Sequence, residues 1–281
     1  EVGEFFFFFL KGISVIIIRH WAQEVIKVID IHTHILPGMD DGAQTMQESL
    51  MMAELAVESG VHTVIATPHC NIPGYYDNYF SPFFYEQVIR FRKRLEREGI
   101  CLRVFTGMEI FITDDVMERM AEGDLIPLNH SDYYLVEFPF DIYPEEIERK
   151  LLQIQKSDRI PILAHPERYY CIQDMPEMLY GLLERGCRLQ CNKGSFFGKF
   201  GRHAQKTVRY FAENGWIHAV ASDAHSPYGR TTFMGDIKEY LEKEYSYAYA
   251  KTVLYENPKR ILQNQRIPFD GRKIEEERIW Y

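Results

Sequence analysis

The chain has 281 residues, 46% apolar and 26% charged, a composition typical of a globular protein with room for one large core. Its net charge of −9, from 41 acidic and 32 basic residues, argues against nucleic acid as a partner, because such binding needs an excess of lysine and arginine. The five cysteines are odd in number and lack CxxC spacing. We therefore predict a reducing, cytoplasmic compartment rather than a disulfide framework or a zinc knuckle.

The first 27 residues have an unusual composition, with five consecutive phenylalanines at 5–9 and an apolar stretch at 13–18. The segment is too short and too interrupted for a membrane span of about 20 apolar residues. The acidic residues Glu1 and Glu4 do not fit a signal peptide. We predict that residues 1–27 precede the natural start and that 28–281 form a single domain without stable membrane insertion. A membrane or partner anchor is the alternative for this segment.

Seven apolar runs bounded by turn residues alternate with segments of helical periodicity. The predicted strands are residues 28–32, 61–67, 102–109, 133–138, 160–165, 187–192 and 217–222. The predicted helices are residues 44–59, 86–98, 144–156, 176–185 and 204–214. This regular alternation predicts an α/β fold with a parallel sheet that is closed, or nearly closed, into a TIM-like barrel. A doubly wound open sheet is the alternative.

Parallel barrels carry their chemistry at the carboxyl ends of the strands. Six of the seven predicted strands end on residues that can bind a metal ion. These residues are His32, His34, His69, Glu109, Glu137, His165, Asp223 and His225. The other histidines lie elsewhere, two of them at the beginnings of strands, and we predict no metal-binding role for them: His20, His62, His130, His203 and His218.

The spacing of these residues predicts a metal site. His32 and His34 are two residues apart, so in an extended chain both side chains point to the same face, and Asp223 and His225 repeat this spacing. Asp41, which precedes Gly42, can reach back over the same rim. Nine ligands are too many for one ion and suit two or three. The set contains nitrogen and oxygen but no sulfur, which favours manganese, iron or zinc over copper.

Seven ordered motifs resemble those of the PHP (polymerase and histidinol phosphatase) superfamily. The longer strings at residues 30–43, 65–69 and 164–168 resemble one branch, the bacterial manganese-dependent tyrosine phosphatases of capsular and exopolysaccharide operons. The resemblance runs from about Val28 to about Gln265. It departs from the family pattern at residues 192–195, where Asn-Lys-Gly-Ser stands in place of a Thr-x-Gly-Ser-like stretch.

The resemblance implies a distorted seven-stranded (β/α)7 barrel with three metal ions at its carboxyl-end rim, manganese (Mn2+) first among the candidates and iron or zinc as alternatives. It implies a first ion bound by His32, His34, Glu109 and Asp223. It implies a second ion bound by Glu109, Glu137 and His165. It implies a third ion bound by His69, His225 and Asp41, with Asp40 as the alternative to Asp41. The implied substrate is phosphotyrosine on the tail of a membrane-bound bacterial tyrosine kinase.

Phosphoester hydrolysis follows from such a site, because two metal ions can turn water into a hydroxide nucleophile near neutral pH. Arg168 and Arg230 follow candidate ligands by three and five residues. The fork of a guanidinium group matches two phosphate oxygens at once, so we predict that both arginines bind the phosphoryl group. Aromatic residues of the segment 75–85 either stack on a phenol ring or pack beneath their own loop. They are Tyr75, Tyr76, Tyr79, Phe80, Phe83, Phe84 and Tyr85.

Three other functions remain as alternatives. A histidinol phosphatase would need a small polar pocket in place of an open rim. A polymerase-type exonuclease is disfavoured by the acidic charge and by the absence of a polymerase domain in this sequence. A metal-storing or scaffolding protein would be indicated by the loss of a ligand or an arginine, and none is missing here.

Overall fold

A computed structural model describes residues 7–10, 13–16 and 26–272. Strands β1 (Phe7–Leu10) and β2 (Ile13–Ile16) pair with each other as an antiparallel hairpin. The rest of the segment 1–25 lies outside the described residues, so its predicted independence from the fold stays a prediction. Ile26 is already buried in the main core.

Nine further strands and eleven α-helices follow among the described residues. The strands are β3 (Val28–Thr33), β4 (Val61–Ala66), β5 (His69–Cys70), β6 (Arg103–Thr106), β7 (Glu109–Phe111), β8 (Tyr133–Glu137), β9 (Ile160–Ala164), β10 (Arg188–Asn192) and β11 (Ala219–Ala221). The helices are α1 (Met46–Glu58), α2 (Pro82–Glu98), α3 (Val116–Glu122), α4 (Pro144–Gln155), α5 (Tyr170–Asp174), α6 (Tyr180–Glu184), α7 (Lys193–Phe196), α8 (Arg202–Glu213), α9 (Gly235–Glu244), α10 (Tyr247–Lys251) and α11 (Asn257–Leu262). Short 3₁₀ turns occupy Leu128–His130, Pro166–Arg168 and Pro176–Leu179, and a π-helix occupies Thr252–Glu256.

The strands from β3 onward form two curled parallel sheets. One has six strands in the order β11-β10-β9-β8-β7-β5, and the other has three in the order β3-β4-β6. Every strand pair in these sheets is parallel. The end of β3 meets the end of β11 through a parallel bridge between Thr33 and Ala224. The predicted mixed α/β architecture with parallel strands is confirmed.

The count of seven strands in one barrel is not confirmed. Each of the seven predicted segments contains a strand, but the segment 102–109 is divided and an unpredicted short strand, β5, follows the segment 61–67. Thr67 and Pro68, of which the proline has no N–H to donate, separate β4 from β5, and Gly107 and Met108 separate β6 from β7. In both cases the two strands belong to different sheets.

Helices cover the outside of the sheets, as burial of the strands requires. All residues of β3, β8 and β9 are buried, as in parallel strands that are covered on both faces. An inner cluster of mostly aliphatic side chains, among them Ile31, Ile65 and Leu135, lies apart from the larger cluster between helices and strands.

Local signals explain where the helices begin and end. The Thr45 side chain accepts a hydrogen bond from the Glu48 N–H and so caps α1. Helix α2 begins at Pro82, four residues before the predicted start, because Ser81 caps it and proline suits the first turn. Gly99 ends α2 in the left-handed conformation, with φ of 71°. In the part of the chain that the structure describes, no helix is both long and apolar enough to span a membrane.

Candidate metal centre

The carboxyl end of β3, the first residue of β7 and the residues that follow β11 bring four candidate ligands together. Glu109 Oε2 lies 3.1 Å from His32 Nε2 and 3.3 Å from His34 Nε2. Asp223 Oδ1 lies 3.4 Å from each of the same two nitrogens. All four side chains are buried, and their ligand atoms lie within 4.8 Å of one another. This is the group that the resemblance implies for the first ion.

Glu109 also belongs to a second group. Its Oε2 lies 3.0 Å from His69 Nδ1, and Glu137 Oε1 lies 2.9 Å from the same nitrogen. His165 Nε2 approaches from the other side, 2.8 Å from Glu109 Oε1 and 3.7 Å from Glu137 Oε2. Glu109 therefore belongs to two groups of candidate ligands. The resemblance implies that His69 binds the third ion, but in the structure its Nδ1 lies next to the carboxylates of the second group.

The third group surrounds Asp41 at the rim. Asp41 Oδ1 lies 3.4 Å from His225 Nε2 and 3.6 Å from His69 Nε2. Together with His34 these residues offer four ligand atoms within 4.8 Å of one another. The structure thus brings all nine predicted ligand residues to one rim.

Asp40 and Asp41 occupy different positions. Asp40 Oδ2 accepts from His34 Nδ1 at 2.6 Å and from the His69 N–H at 2.8 Å, while Oδ1 accepts from the Gly42 N–H. Asp40 is thus engaged behind the histidines, and its contact leaves His34 Nε2 facing the first group. This carboxylate–histidine pairing is common around bound metals. The geometry favours Asp41 as the ligand and Asp40 as the residue that orients His34.

The arrangement of these nitrogen and oxygen atoms suits a bound metal ion better than it suits hydrogen bonds among the side chains. His69 Nδ1, Glu109 Oε2 and Glu137 Oε1 are buried without an aligned hydrogen-bond partner among the described residues. Buried polar atoms normally have partners, yet these three have none although the two oxygens lie within 3.0 Å of the nitrogen. Imidazole nitrogen and carboxylate oxygen suit manganese, iron and zinc.

The charges of the cluster shift its pKa values strongly. Burial opposes ionisation of His69, but the carboxylates of Glu109 and Glu137 outweigh it and raise its pKa to about 9. The hydrogen bond from His225 holds the pKa of Asp41 at about 2. Burial opposes the charge on Glu109 as well, yet the neighbouring imidazoles hold its pKa well below the usual range. The protein therefore presents ionised carboxylates, as cation binding requires.

The two predicted phosphate-binding arginines, Arg168 and Arg230, are called the arginine pair. Both lie beside Asp223 of the first group. Arg168 Nη1 lies 3.5 Å from Asp223 Oδ2, and Arg230 pairs with the same oxygen. Arg230 Nε also donates to the Asp223 carbonyl at 3.1 Å. The backbone fixes Arg230, because its carbonyl accepts from the N–H groups of His225 and Ser226.

A cavity of about 280 Å³ opens onto these side chains. Ligand candidates, the arginine pair and a set of apolar side chains line it. The apolar lining consists of Ile72, Phe111, Phe138, Pro139 and Phe140. The volume lies just below the roughly 300–1,000 Å³ usual for ligand sites and suits a single phosphorylated side chain.

The aromatic segment 75–85 is divided between the two predicted roles. Phe84 is fully buried, and the Tyr79 hydroxyl donates to Asn71 beneath the loop. Tyr76 reaches the site, with its ring nearly parallel to His69 at 5.9 Å. The remaining aromatic residues are largely exposed: Tyr75, Phe80, Phe83 and Tyr85. The apolar wall beside the arginine pair comes from other segments, which sequence reasoning missed.

Strand β10 holds two further residues that sequence reasoning missed. The Gln190 side-chain oxygen accepts from His32 Nδ1 at 2.8 Å, and its amide nitrogen donates to Asn192. Asn192 in turn donates to Asp223 Oδ2. Two polar side chains at alternating positions of a buried strand were the available signal.

Two candidate ligands also have an unusual backbone conformation. His165 has φ of 37° and Asp223 has φ of 48°, although neither is glycine. Such left-handed residues are uncommon and tend to cluster at functional sites.

Comparison with known proteins places this geometry in a family. Residues 28–263 match the family described as capsular polysaccharide synthesis, CpsB/CapC. The tyrosine-protein phosphatase YwqE of Bacillus subtilis (strain 168) is 40% identical over 240 residues, which are 85% of this chain and 93% of that protein. The tyrosine-protein phosphatase CpsB of Streptococcus pneumoniae is 30% identical over 245 residues, which are 85% of this chain and 100% of that protein.

A solved structure agrees in both fold and sequence. It is described as one of YwqE from Bacillus subtilis and CpsB from Streptococcus pneumoniae, unique metal-dependent tyrosine phosphatases. It matches with a TM-score of 0.81 at 39% identity and covers 88% of this chain and 99% of that chain. The resemblance predicted from the motifs is confirmed, and the chain belongs to the CpsB/CapC family of capsular polysaccharide synthesis.

Proposed function

We propose that this protein is a metal-dependent protein-tyrosine phosphatase that hydrolyses phosphotyrosine on a protein. One observation carries the proposal: a single cavity is lined by ligand candidates, the arginine pair and an apolar wall. A phosphoryl group needs the first two, and a phenol ring suits the third. The relatives named as tyrosine-protein phosphatases support the same activity.

Three metal ions, with manganese as the first choice and iron or zinc as alternatives, would be bound at the rim. His32, His34, Glu109 and Asp223 would hold the first. Glu109, Glu137 and His165 would hold the second, and Asp41, His69 and His225 would hold the third. When bound, the ions supply Lewis acidity and lower the pKa of water near the phosphorus.

The chain's own residues hold and orient the substrate. The arginine pair binds the non-bridging phosphoryl oxygens through in-plane N–H groups, and its charge opposes the negative charge that develops there. The wall at Pro139 and Phe140 packs against the phenol ring and keeps water from that side. Phenolate is a good leaving group, so no dedicated general acid is needed.

The proposal extends to the setting of the reaction. The substrate would be the tail of a membrane-bound bacterial tyrosine kinase that acts in capsular or exopolysaccharide synthesis, and the phosphatase would work in the cytoplasm. Five free cysteines suit that reducing compartment. We also propose that the two sheets together form one distorted seven-stranded barrel, a view supported by the bridge between Thr33 and Ala224.

The test is a panel of phosphorylated substrates with manganese. A phosphotyrosine peptide should have kcat/KM well above that of a phosphoserine peptide, since only the former places a ring against the apolar wall. Histidinol phosphate is the third substrate. If its turnover exceeds that of phosphotyrosine, the substrate assignment is wrong while the metal site remains.

A further inference from the structure

The guanidinium groups of the arginine pair lie over aromatic rings. Arg168 Cζ is 4.4 Å from the ring centroid of Phe140 and 4.5 Å from that of Phe200. Arg230 Cζ is 5.5 Å from the centroid of Phe200. Phe200, in the loop between α7 and α8, therefore contacts both arginines. These distances fall within the roughly 6 Å at which a cation and an aromatic face attract each other.

The loop between α7 and α8 is built to place this ring. The Lys199 N–H donates to the Gly194 carbonyl, and the Gly201 N–H donates to the Gly198 carbonyl. A Cβ on Gly194 would lie 2.9 Å from Cε2 of Phe200, closer than real Cβ contacts are. Gly194 lies in the stretch 192–195, at a position where the sequence agrees with the Thr-x-Gly-Ser-like pattern. The absence of a side chain at this position makes room for Phe200.

Nearby acidic side chains make few contacts with the Arg168 guanidinium group. Glu167, the adjacent residue, accepts instead from the Asn192 N–H and from the Ser195 hydroxyl. The one ion pair of Arg168 among the described residues is the 3.5 Å contact to Asp223. Stacking holds a guanidinium by its face and occupies none of its in-plane N–H donors. Those donors therefore remain available for phosphoryl oxygens.

We propose that Phe200, with Phe140 in support, is a positioning residue that holds Arg168 and Arg230 in register for one phosphoryl group. It acts through the two arginines that it contacts. The inference rests on the proposed function, because it assumes that the arginine pair binds phosphate.

The experiment measures binding of inorganic phosphate to the manganese-loaded full chain by calorimetry, alongside phosphotyrosine turnover. F200L keeps an apolar side chain of similar size and removes the aromatic face. Phosphate affinity and kcat/KM should fall by on the order of 3- to 30-fold, the range expected for cation–π contacts. Manganese content should not change. F200Y keeps the ring face and should restore most of the affinity.

The matched control is F197L. Phe197 is exposed in the same loop and packs on Tyr240 at 5.5 Å instead of on an arginine. This variant should behave as the wild type. If F200L fails to fold, F140L removes the other ring face over Arg168, and a loss of phosphate affinity is expected there as well.

A cycle with R168A/R230A separates positioning from general structure. In that background F200L should have no further effect on phosphate affinity. A loss that persists undiminished, wild-type affinity in F200L, or no phosphate binding by the wild type would each overturn the inference. Phe200-dependent phosphate binding without phosphotyrosine turnover would instead overturn the proposed function alone.

Discussion

At the scale of single residues, the adjacent carboxylates of Asp40 and Asp41 have different partners and therefore different expected roles. In D41N, a ligand of the third group loses its charge, so the manganese stoichiometry should fall while the metal-free melting temperature changes little. In D40N, an amide N–H would face the donors of His34 and His69. We expect stoichiometry to be kept at high metal concentration, with affinity lower by about 10- to 100-fold. Metal analysis and calorimetry measure both quantities, and the reverse pattern would exchange the two roles.

The arginine pair provides a second prediction at this scale. Changing Arg168 or Arg230 to alanine should lower kcat/KM on phosphotyrosine by roughly 10²–10³-fold, about 2.7–4 kcal/mol, as expected for loss of one preorganised donor. Manganese content should stay the same, because arginine is not a ligand. Lysine should rescue only partly, since it lacks the planar fork.

R185A is the control for these variants, because Arg185 forms an exposed ion pair with Glu148 away from the site. Its steady-state kinetics should match the wild type. Full activity with full metal content in R168A or R230A would remove the arginine pair from the mechanism.

Sequence spacing predicts some of these residues and not others. It predicted the nine ligand candidates that the structure brings to one rim, because strand ends in a parallel sheet share an edge. It could not choose between Asp40 and Asp41, since the choice depends on how the turn before Gly42 directs two adjacent carboxylates. It also missed Phe140 and Phe200, which are far apart in sequence and meet only over Arg168.

At the scale of elements, the turn from Gly38 to Ala43 connects β3 to α1 and carries Asp41. Its ends are tied by hydrogen bonds from the Gly38 N–H to Ala43 and from the Ala43 N–H to His34. A Cβ on Gly42 would lie 2.1 Å from the His34 carbonyl oxygen and 2.4 Å from the His34 Cβ. Only glycine fits at this position.

G42A should therefore destabilise the protein by more than the roughly 1–3 kcal/mol of ordinary overpacking, because the clash involves backbone. It should also weaken manganese binding, because His34 and Asp41 must move apart. G181A is the control: Gly181 lies in α6 with nothing within 4 Å, and alanine favours a helix. Denaturant unfolding measures both, and a G42A protein as stable as G181A would show that the turn adapts.

Elements were predictable where a local signal fixes them. The Thr45 cap and Gly99 placed the ends of α1 and α2 close to their predicted bounds. The predicted helix at 176–185 is instead a 3₁₀ turn followed by α6, and Gly181, a poor helix former, lies next to the change between them. The division of two strands at Pro68 and Gly107 depends on pairing across sheets, which periodicity does not reveal.

At the scale of the whole molecule, the charge of the rim couples metal binding to pH. Without metal, the raised pKa of His69, about 9 against 6.5, means that this imidazole is protonated at neutral pH. A cation must displace that proton, so apparent manganese affinity should rise with pH up to about 9. Calorimetry between pH 6.5 and 9 measures this slope. A flat profile would show that His69 is not a ligand.

The stability of the metal-free protein should run the other way. The charged form of His69 is the one that the carboxylates stabilise, so its contribution is complete below about pH 6.5 and is lost as pH rises through about 9. The metal-free melting temperature should accordingly decline over the range in which metal affinity increases.

The boundary at residue 27 remains a prediction. Because Ile26 is buried in the core, a truncation that tests it should remove residues 1–25 and keep Ile26.

The most direct test of the account is removal of metal compared with blocking of thiols, with phosphotyrosine hydrolysis as the readout. Chelation should abolish turnover and manganese should restore it, because the nucleophile depends on bound metal. Iodoacetamide should leave turnover intact, since none of the five cysteines lines the cavity, and Cys70, Cys187 and Cys191 are buried, which raises the pKa of each thiol. Activity that survives chelation but is lost on alkylation would contradict the metal-dependent mechanism.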